Sequence, residues 1–76
     1  MYKIIGVADD ASMRVTADDS NGMTVVTLEF AAIGINGLEW GPEEVLGVLS
    51  ESDLKKAVKV AKRELGEYAE GMLWTV

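Results

Sequence analysis

Met13-Arg14-Val15-Thr16-Ala17-Asp18-Asp19-Ser20-Asn21-Gly22-Met23-Thr24-Val25-Val26-Thr27-Leu28-Glu29-Phe30 holds the clearest local signal in the chain. Asn21-Gly22 supplies the two positive-φ residues that a two-residue type I′ hairpin turn requires. Pairing Ser20 with Met23 then sets Ala17 opposite Val26, Val15 opposite Leu28 and Met13 opposite Phe30, all on one face because strand side chains alternate. The other face receives Arg14 opposite Glu29 and Thr16 opposite Thr27. A slip of one residue would mix the apolar and polar sets, so the register is strongly specified.

Toward the N-terminus, Tyr2–Ala8 reads as a strand joined to this hairpin by Asp9-Asp10-Ala11, which makes an antiparallel meander. Toward the C-terminus, Ala31–Ile35 continues apolar, and Asn36-Gly37 offers a second I′ turn that would set Ile35 beside Leu38 and Ile33 beside Trp40. Parity places Ile33 and Ile35 on the face opposite Leu28 and Phe30, so either a bulge resets the alternation or the second sheet face is also covered. Gly41-Pro42-Glu43-Glu44 has the form of a helix start, with proline at the first helical position and carboxylates near the positive end of the dipole. It predicts a short helix over residues 42–49.

A main helix is predicted over 51–70, with Ser50 as N-cap, Asp53 completing a capping box and Leu49 stapled to Leu54. Leu54, Ala57, Val58, Ala61, Leu65, Tyr68, Ala69 and Met72 recur at three- and four-residue spacing and form its apolar face. Met72–Val76 alternates, so the chain either ends there as a tail or returns to the sheet. The fold class is therefore α+β: an antiparallel meander of three or four strands within residues 1–40, packed on one long amphipathic C-terminal helix with a short helix before it, all in one domain spanning 1–76.

At 76 residues, folding buries only about 60% of the surface that the unfolded chain exposes. Yet 49% of the residues are hydrophobic, more than so small an interior readily hides, so some apolar surface is expected to belong to an interface. No apolar run approaches the roughly 20 residues that span a bilayer, and Met1-Tyr2-Lys3-Ile4 opens no signal-peptide pattern, so no membrane association and a cytoplasmic location are expected. With no cysteine and no histidine, thiol nucleophiles, imidazole bases, disulfides and thiolate or imidazole zinc sites are excluded. The expectation is a noncatalytic protein with no catalytic residues, no cofactor and no metal site. Asp9-Asp10 and Asp18-Asp19 sit at opposite ends of the second strand, about 23 Å apart, and read as turn formers.

The net charge is −6, yet five of the seven basic residues, Lys55, Lys56, Lys59, Lys62 and Arg63, fall within nine positions. At 100° per residue they share an arc of roughly 120° opposite the apolar face. On a helix over 51–70 they would occupy the positive half while Glu64, Glu67 and Glu70 crowd the negative end, opposing the macrodipole. Val60 reads as an apolar residue on the charged side. The ridge is either a solvated polar face or a docking surface for an acidic partner; nucleic acid is disfavoured because residues 1–53 carry ten acids against two bases. Trp40, and likewise Trp74, is either a core plug with one wet edge or an interface anchor, and Trp40 joins the ridge as a candidate partner-binding residue.

Two functional expectations follow. One is a protein-binding module acting by docking or occlusion, by analogy with the small acidic inhibitors that phages and mobile elements direct at host machinery in the host cytoplasm, including anti-CRISPR and other anti-defence proteins. The other is a self-assembling structural or accessory subunit, a homodimer or larger homo-oligomer, whose apolar surplus is consumed by symmetric contacts.

Overall fold

The computed structural model describes residues 1–75, without the side chain of Glu43. The strands are β1 (Tyr2–Ala8), β2 (Met13–Ser20), β3 (Met23–Gly34), β4 (Gly37–Leu49) and β5 (Met72–Trp74), with one α-helix, α1 (Leu54–Leu65), continued by a 3-10 segment over Gly66–Gly71. They form an antiparallel sheet in the order β4-β3-β2-β1-β5. The β2–β3 register runs from Ser20↔Met23 to Met13↔Phe30 as the alternation requires. Asn21 and Gly22 both take positive φ, 55° and 72°.

The helix expected over 42–49 is not present; those residues belong to β4. Val45, Gly47 and Val48 are poor helix formers, and a helix of two turns is marginal unless packing holds it. Strand pairing offers a ladder from Thr24↔Leu49 to Gly34↔Gly37. Two irregularities, between Val26/Thr27 and Leu28/Glu29, leave Leu46 and Glu43 as extra residues in β4. Pro42 lies beside one of them on the edge strand, where a missing N–H is tolerated. Among the described residues the sheet accordingly has five strands rather than three or four, and its meander reaches Leu49 rather than residue 40.

The loop of the second hairpin lies one residue earlier than expected, which shifts the pairing by two residues and so keeps each side chain on its face. Gly34 pairs with Gly37, Ile33 with Leu38 and Ala31 with Trp40, leaving Ile35-Asn36 as the loop. Gly37 carries the positive φ of 105°, whereas Asn36 does not take positive φ. A turn closed by glycine in that position replaces the I′ form. The bulges lie in β4, so β3 alternates without interruption and Ile33 stays on the face away from the helix.

One amphipathic stripe explains how α1 sits. Ala57, Val58 and Ala61 are buried against Ile5, Val15, Ala17, Val26 and Leu28. The alanines allow close approach to the sheet, and burying each of Ile5, Val15 and Val26 contributes about 1.5–3 kcal/mol. The helix begins later than the expected residue 51, because residues 50–53 are strapped to the β2–β3 end. Thr24 Oγ1 donates to the Glu51 carbonyl at 2.8 Å, and Ser52 Oγ donates to the Asp19 carboxylate. The cap is Asp53, not Ser50: its carboxylate accepts from the backbone N–H of Lys55 and Lys56 at 3.0 and 3.2 Å. Gly66 ends the α-helix at φ 59°, and the 3-10 segment delivers the chain to β5.

That strand pairs with β1 of the same chain, Gly6↔Trp74 to Ala8↔Met72. Val76, the last residue of the expected returning segment, lies outside the described residues. A Cβ on Gly6 would come within 2.6 Å of the Trp74 ring, so the glycine is what lets the indole lie on β1. Replacing Asp53 by alanine is expected to cost about 1 kcal/mol, a fall in Tm of roughly 4–8 °C, whereas Ser50→Ala should melt within about 0.5 kcal/mol of the parent. Thermal denaturation of the two variants checks the cap.

Candidate interaction surfaces

Strand alternation gives the sheet two unlike faces. The residues in register on the face away from α1 are Tyr2, Ile4 and Val7 of β1, Arg14, Thr16 and Asp18 of β2, Val25, Thr27, Glu29, Ala31 and Ile33 of β3, Leu38, Trp40, Pro42, Val45 and Val48 of β4, and Leu73 of β5. No element of the described residues covers them. Ile33 is 92% exposed and Leu38 64%, because β2 ends at Met13↔Phe30 and the β3–β4 hairpin projects beyond it. Ile35, at the tip, is 101% exposed.

A polar and aromatic belt crosses this face, one residue per strand from β1 to β4. Glu29 Oε1 accepts from Tyr2 Oη and from Arg14 Nε, each at 2.7 Å. Arg14 Nη2 also donates to Tyr2 Oη at 3.2 Å, and its guanidinium carbon lies 4.2 Å from the centroid of the Trp40 ring, a cation–π stack. The Arg14 and Glu29 side chains are only 19% and 12% exposed, so this is a partly desolvated ion pair with its geometry satisfied. Such pairs cost several kcal/mol when one partner is removed, because the other is left charged and alone.

The belt tunes its own protonation. Burial pushes the Glu29 carboxyl up, but the hydrogen bonds from Arg14 and Tyr2 and the guanidinium charge outweigh it and hold the group below its ordinary value. For Tyr2, burial and then the hydrogen bond to Glu29 raise the phenol. Burial works against the Arg14 charge, yet its bond to Glu29 leaves the guanidinium more basic than usual. All three therefore keep their ordinary neutral-pH states.

The sequence-predicted site residues do not form one surface. Lys55, Lys56, Lys59, Lys62 and Arg63 are all exposed on α1, while Trp40 is half-buried on the opposite side of the sheet, under Arg14. Lys56 pairs with Glu51, and the Lys62 ammonium stands 5.6 Å from the Trp74 ring centroid. The end of α1 at Leu65 eases the dipole conflict at one end only: Lys62 and Arg63 occupy its last turn, where cations are favourable, and Glu67 and Glu70 fall in the 3-10 segment, but Glu64 stays in that turn and Lys55 and Lys56 stay in a first turn without an acidic residue. Val60 is not on the charged side, since its Cγ1 packs over Gly47. Trp74 plugs the β1–β5 edge and donates its indole N–H to the Ala69 carbonyl at 3.1 Å.

The acidic doublets are also separated. Asp10 Oδ1 accepts from Ser12 N and Oγ at 3.0 and 2.6 Å, which closes the β1–β2 turn and lowers the Asp10 pKa, while Asp18 and Asp19 lie within β2. Among the described residues no group of three or more metal-ligating side chains gathers, and no helix is long and apolar enough to cross a membrane. Searches of family models, of curated proteins and of solved structures find no match for this chain. Its surfaces are thus the available guide to what it does.

Because the folded-state pKa of Glu29 lies below the unfolded one, its stabilising contribution is complete above the ordinary carboxylate value of about 4.3. It is lost as pH falls through the folded-state value. Glu29→Ala is expected to destabilise the protein by about 2–4 kcal/mol at pH 7, and its deficit against the parent should narrow below about pH 4. Thermal melts of both proteins between pH 7 and pH 3 check the sign.

Proposed function

We propose that this chain is a noncatalytic protein-binding subunit that self-associates through the helix-free face of its sheet. The observation that carries the reading is the uncovered face itself, which holds Tyr2, Ile4, Ile33, Leu38, Val45, Val48 and Leu73 exposed together. Isolated apolar residues on a surface mean little, but apolar residues gathered on one face from four of the five strands mark an interface.

Charge favours a second copy as the occupant. Two molecules of net charge −6 repel each other over most of their surfaces. Among the described side chains on this face, however, Arg14 and Glu29 neutralise one another and only Asp18 remains. The molecule measures 36 × 27 × 18 Å, so a face along the two longer axes can supply the roughly 800 Å² per partner of a stable interface. Edge-to-edge pairing is the poorer route, since Pro42 and the two bulges blunt β4 and β5 offers three residues.

The lysine ridge supports a second reading, docking to an acidic protein, as in a phage or mobile-element inhibitor of host machinery. Its support is the exposure of five bases along one helix in an acidic chain. The absence of histidine and cysteine favours a noncatalytic role in both readings.

Light scattering across a concentration series should give a dimer or larger species that persists in high salt, while the Ile33→Asp/Leu38→Asp variant should be monomeric with an unchanged Tm. A monomer at every concentration would overturn self-association. For the second reading, reversing Lys55, Lys59 and Lys62 to glutamate should abolish capture of an acidic partner without altering the melt, and retained capture would count against it.

A further inference from the structure

The sheet face under α1 is not filled to its end. Where the α-helix stops at Leu65, a half-open cleft of about 620 Å³ remains, a volume within the range of ligand pockets. Leu28, Phe30 and Met13 line its sheet side and Leu65 and Tyr68 its helical side, while Glu44 and Glu64 stand among the lining residues. A second recess of about 390 Å³ shares Ser12, Met13 and Tyr68 with it and adds Asp9, Asp10 and Glu67. The two make one groove with an apolar interior and carboxylates along it, and neither is lined by a basic residue.

Those carboxylates have few partners. Asp10 is engaged by Ser12, but no hydrogen bond or ion pair of the described residues reaches the side chains of Asp9, Glu44, Glu64 or Glu67. The carboxylates lie beside apolar surface that is open to a ligand, at the end of the molecule where the α1 dipole is also negative. An occupant must therefore bring an apolar group and positive charge together.

We propose that this groove binds a basic segment of a partner protein, with one apolar side chain entering between Phe30 and Tyr68 and flanking lysines or arginines meeting Glu44 and Glu64. A second copy of this chain does not fit that description. Five of its seven basic residues lie on α1, whose ridge has no exposed apolar anchor because Val60 packs on Gly47; of the other two, Arg14 is paired with Glu29 and Lys3 is a single charge on β1. The groove is on the helix side of the sheet, so it stays open when the opposite face is paired. The site is thus independent of the self-association proposed above.

The test uses synthetic pentapeptides and the full chain: Lys-Lys-Phe-Lys-Lys, its serine counterpart Lys-Lys-Ser-Lys-Lys, and Ser-Ser-Phe-Ser-Ser, followed by NMR titration. The phenylalanine-lysine peptide should shift the resonances of Met13, Phe30 and Tyr68 and bind about tenfold more tightly than either control. Raising the salt should weaken it. Glu44→Gln/Glu64→Gln should lose about tenfold in affinity, two charge contacts' worth, while Glu39→Gln/Glu70→Gln, with the same change of net charge, should bind like the parent. Equal binding of the two lysine peptides would reduce the effect to bulk attraction to an acidic protein and overturn the proposal. Shifts that map elsewhere, equal losses in the two double variants, or no binding of any peptide would overturn it as well.

Discussion

One twelve-residue helix has to cover a five-stranded sheet, and it can do so on one side only. At 1.5 Å per residue α1 is about 18 Å long, comparable with the width of five strands spaced about 4.8 Å apart. Every fully buried large aliphatic side chain, Ile5, Val15 and Val26, therefore belongs to the single layer between helix and sheet. The composition supplies more apolar residues than that layer accepts, and much of the remainder emerges on the opposite face and at the β3–β4 tip, with Phe30 and Tyr68 exposed in the groove beyond Leu65.

That opposite face is held together differently. Across β1 to β4 its order comes from hydrogen bonds and charge, with Glu29 as the shared acceptor of Tyr2 and Arg14 and Trp40 as the platform for the guanidinium. An apolar face left to water has little to define its side chains, whereas a bidirectional network with all its partners present fixes four of them. The belt thus gives a solvent-facing sheet surface a rigid centre with apolar flanks, the arrangement in which contact residues lose least entropy on association.

The parts of this fold that were legible in the sequence are those where local and non-local preferences agree. Asn21-Gly22 wants a I′ turn, and the alternation of Met13–Phe30 wants the register that this turn imposes, so each confirms the other. Gly41-Pro42-Glu43-Glu44 is the opposite case. Its local chemistry favours a helix start, but the open edge of β3 offers a ladder that outweighs a two-turn helix, and nothing within residues 42–49 announces that edge. Asn36-Gly37 misleads by one position because glycine also serves after a two-residue loop. The belt was half legible: Arg14 opposite Glu29 follows from the hairpin register, but Tyr2 and Trp40 join only once β1 and β4 flank it. The groove could not be read at all, since it depends on where α1 gives way to the 3-10 segment.

The closure of the sheet by β5 has a consequence for how the chain becomes a protein. Gly6 and Trp74 are partners from opposite ends of the sequence, and bringing them together carries the largest loop-closure cost in the fold. The β2–β3 hairpin needs only its own two-residue turn. During synthesis the hairpin and the meander are therefore available early, while β1 keeps an unpaired outer edge until α1 and β5 have been made. For that interval the nascent sheet is a template open to neighbouring chains, and the closing strand that Trp74 pins over Gly6 is the last of these five to arrive.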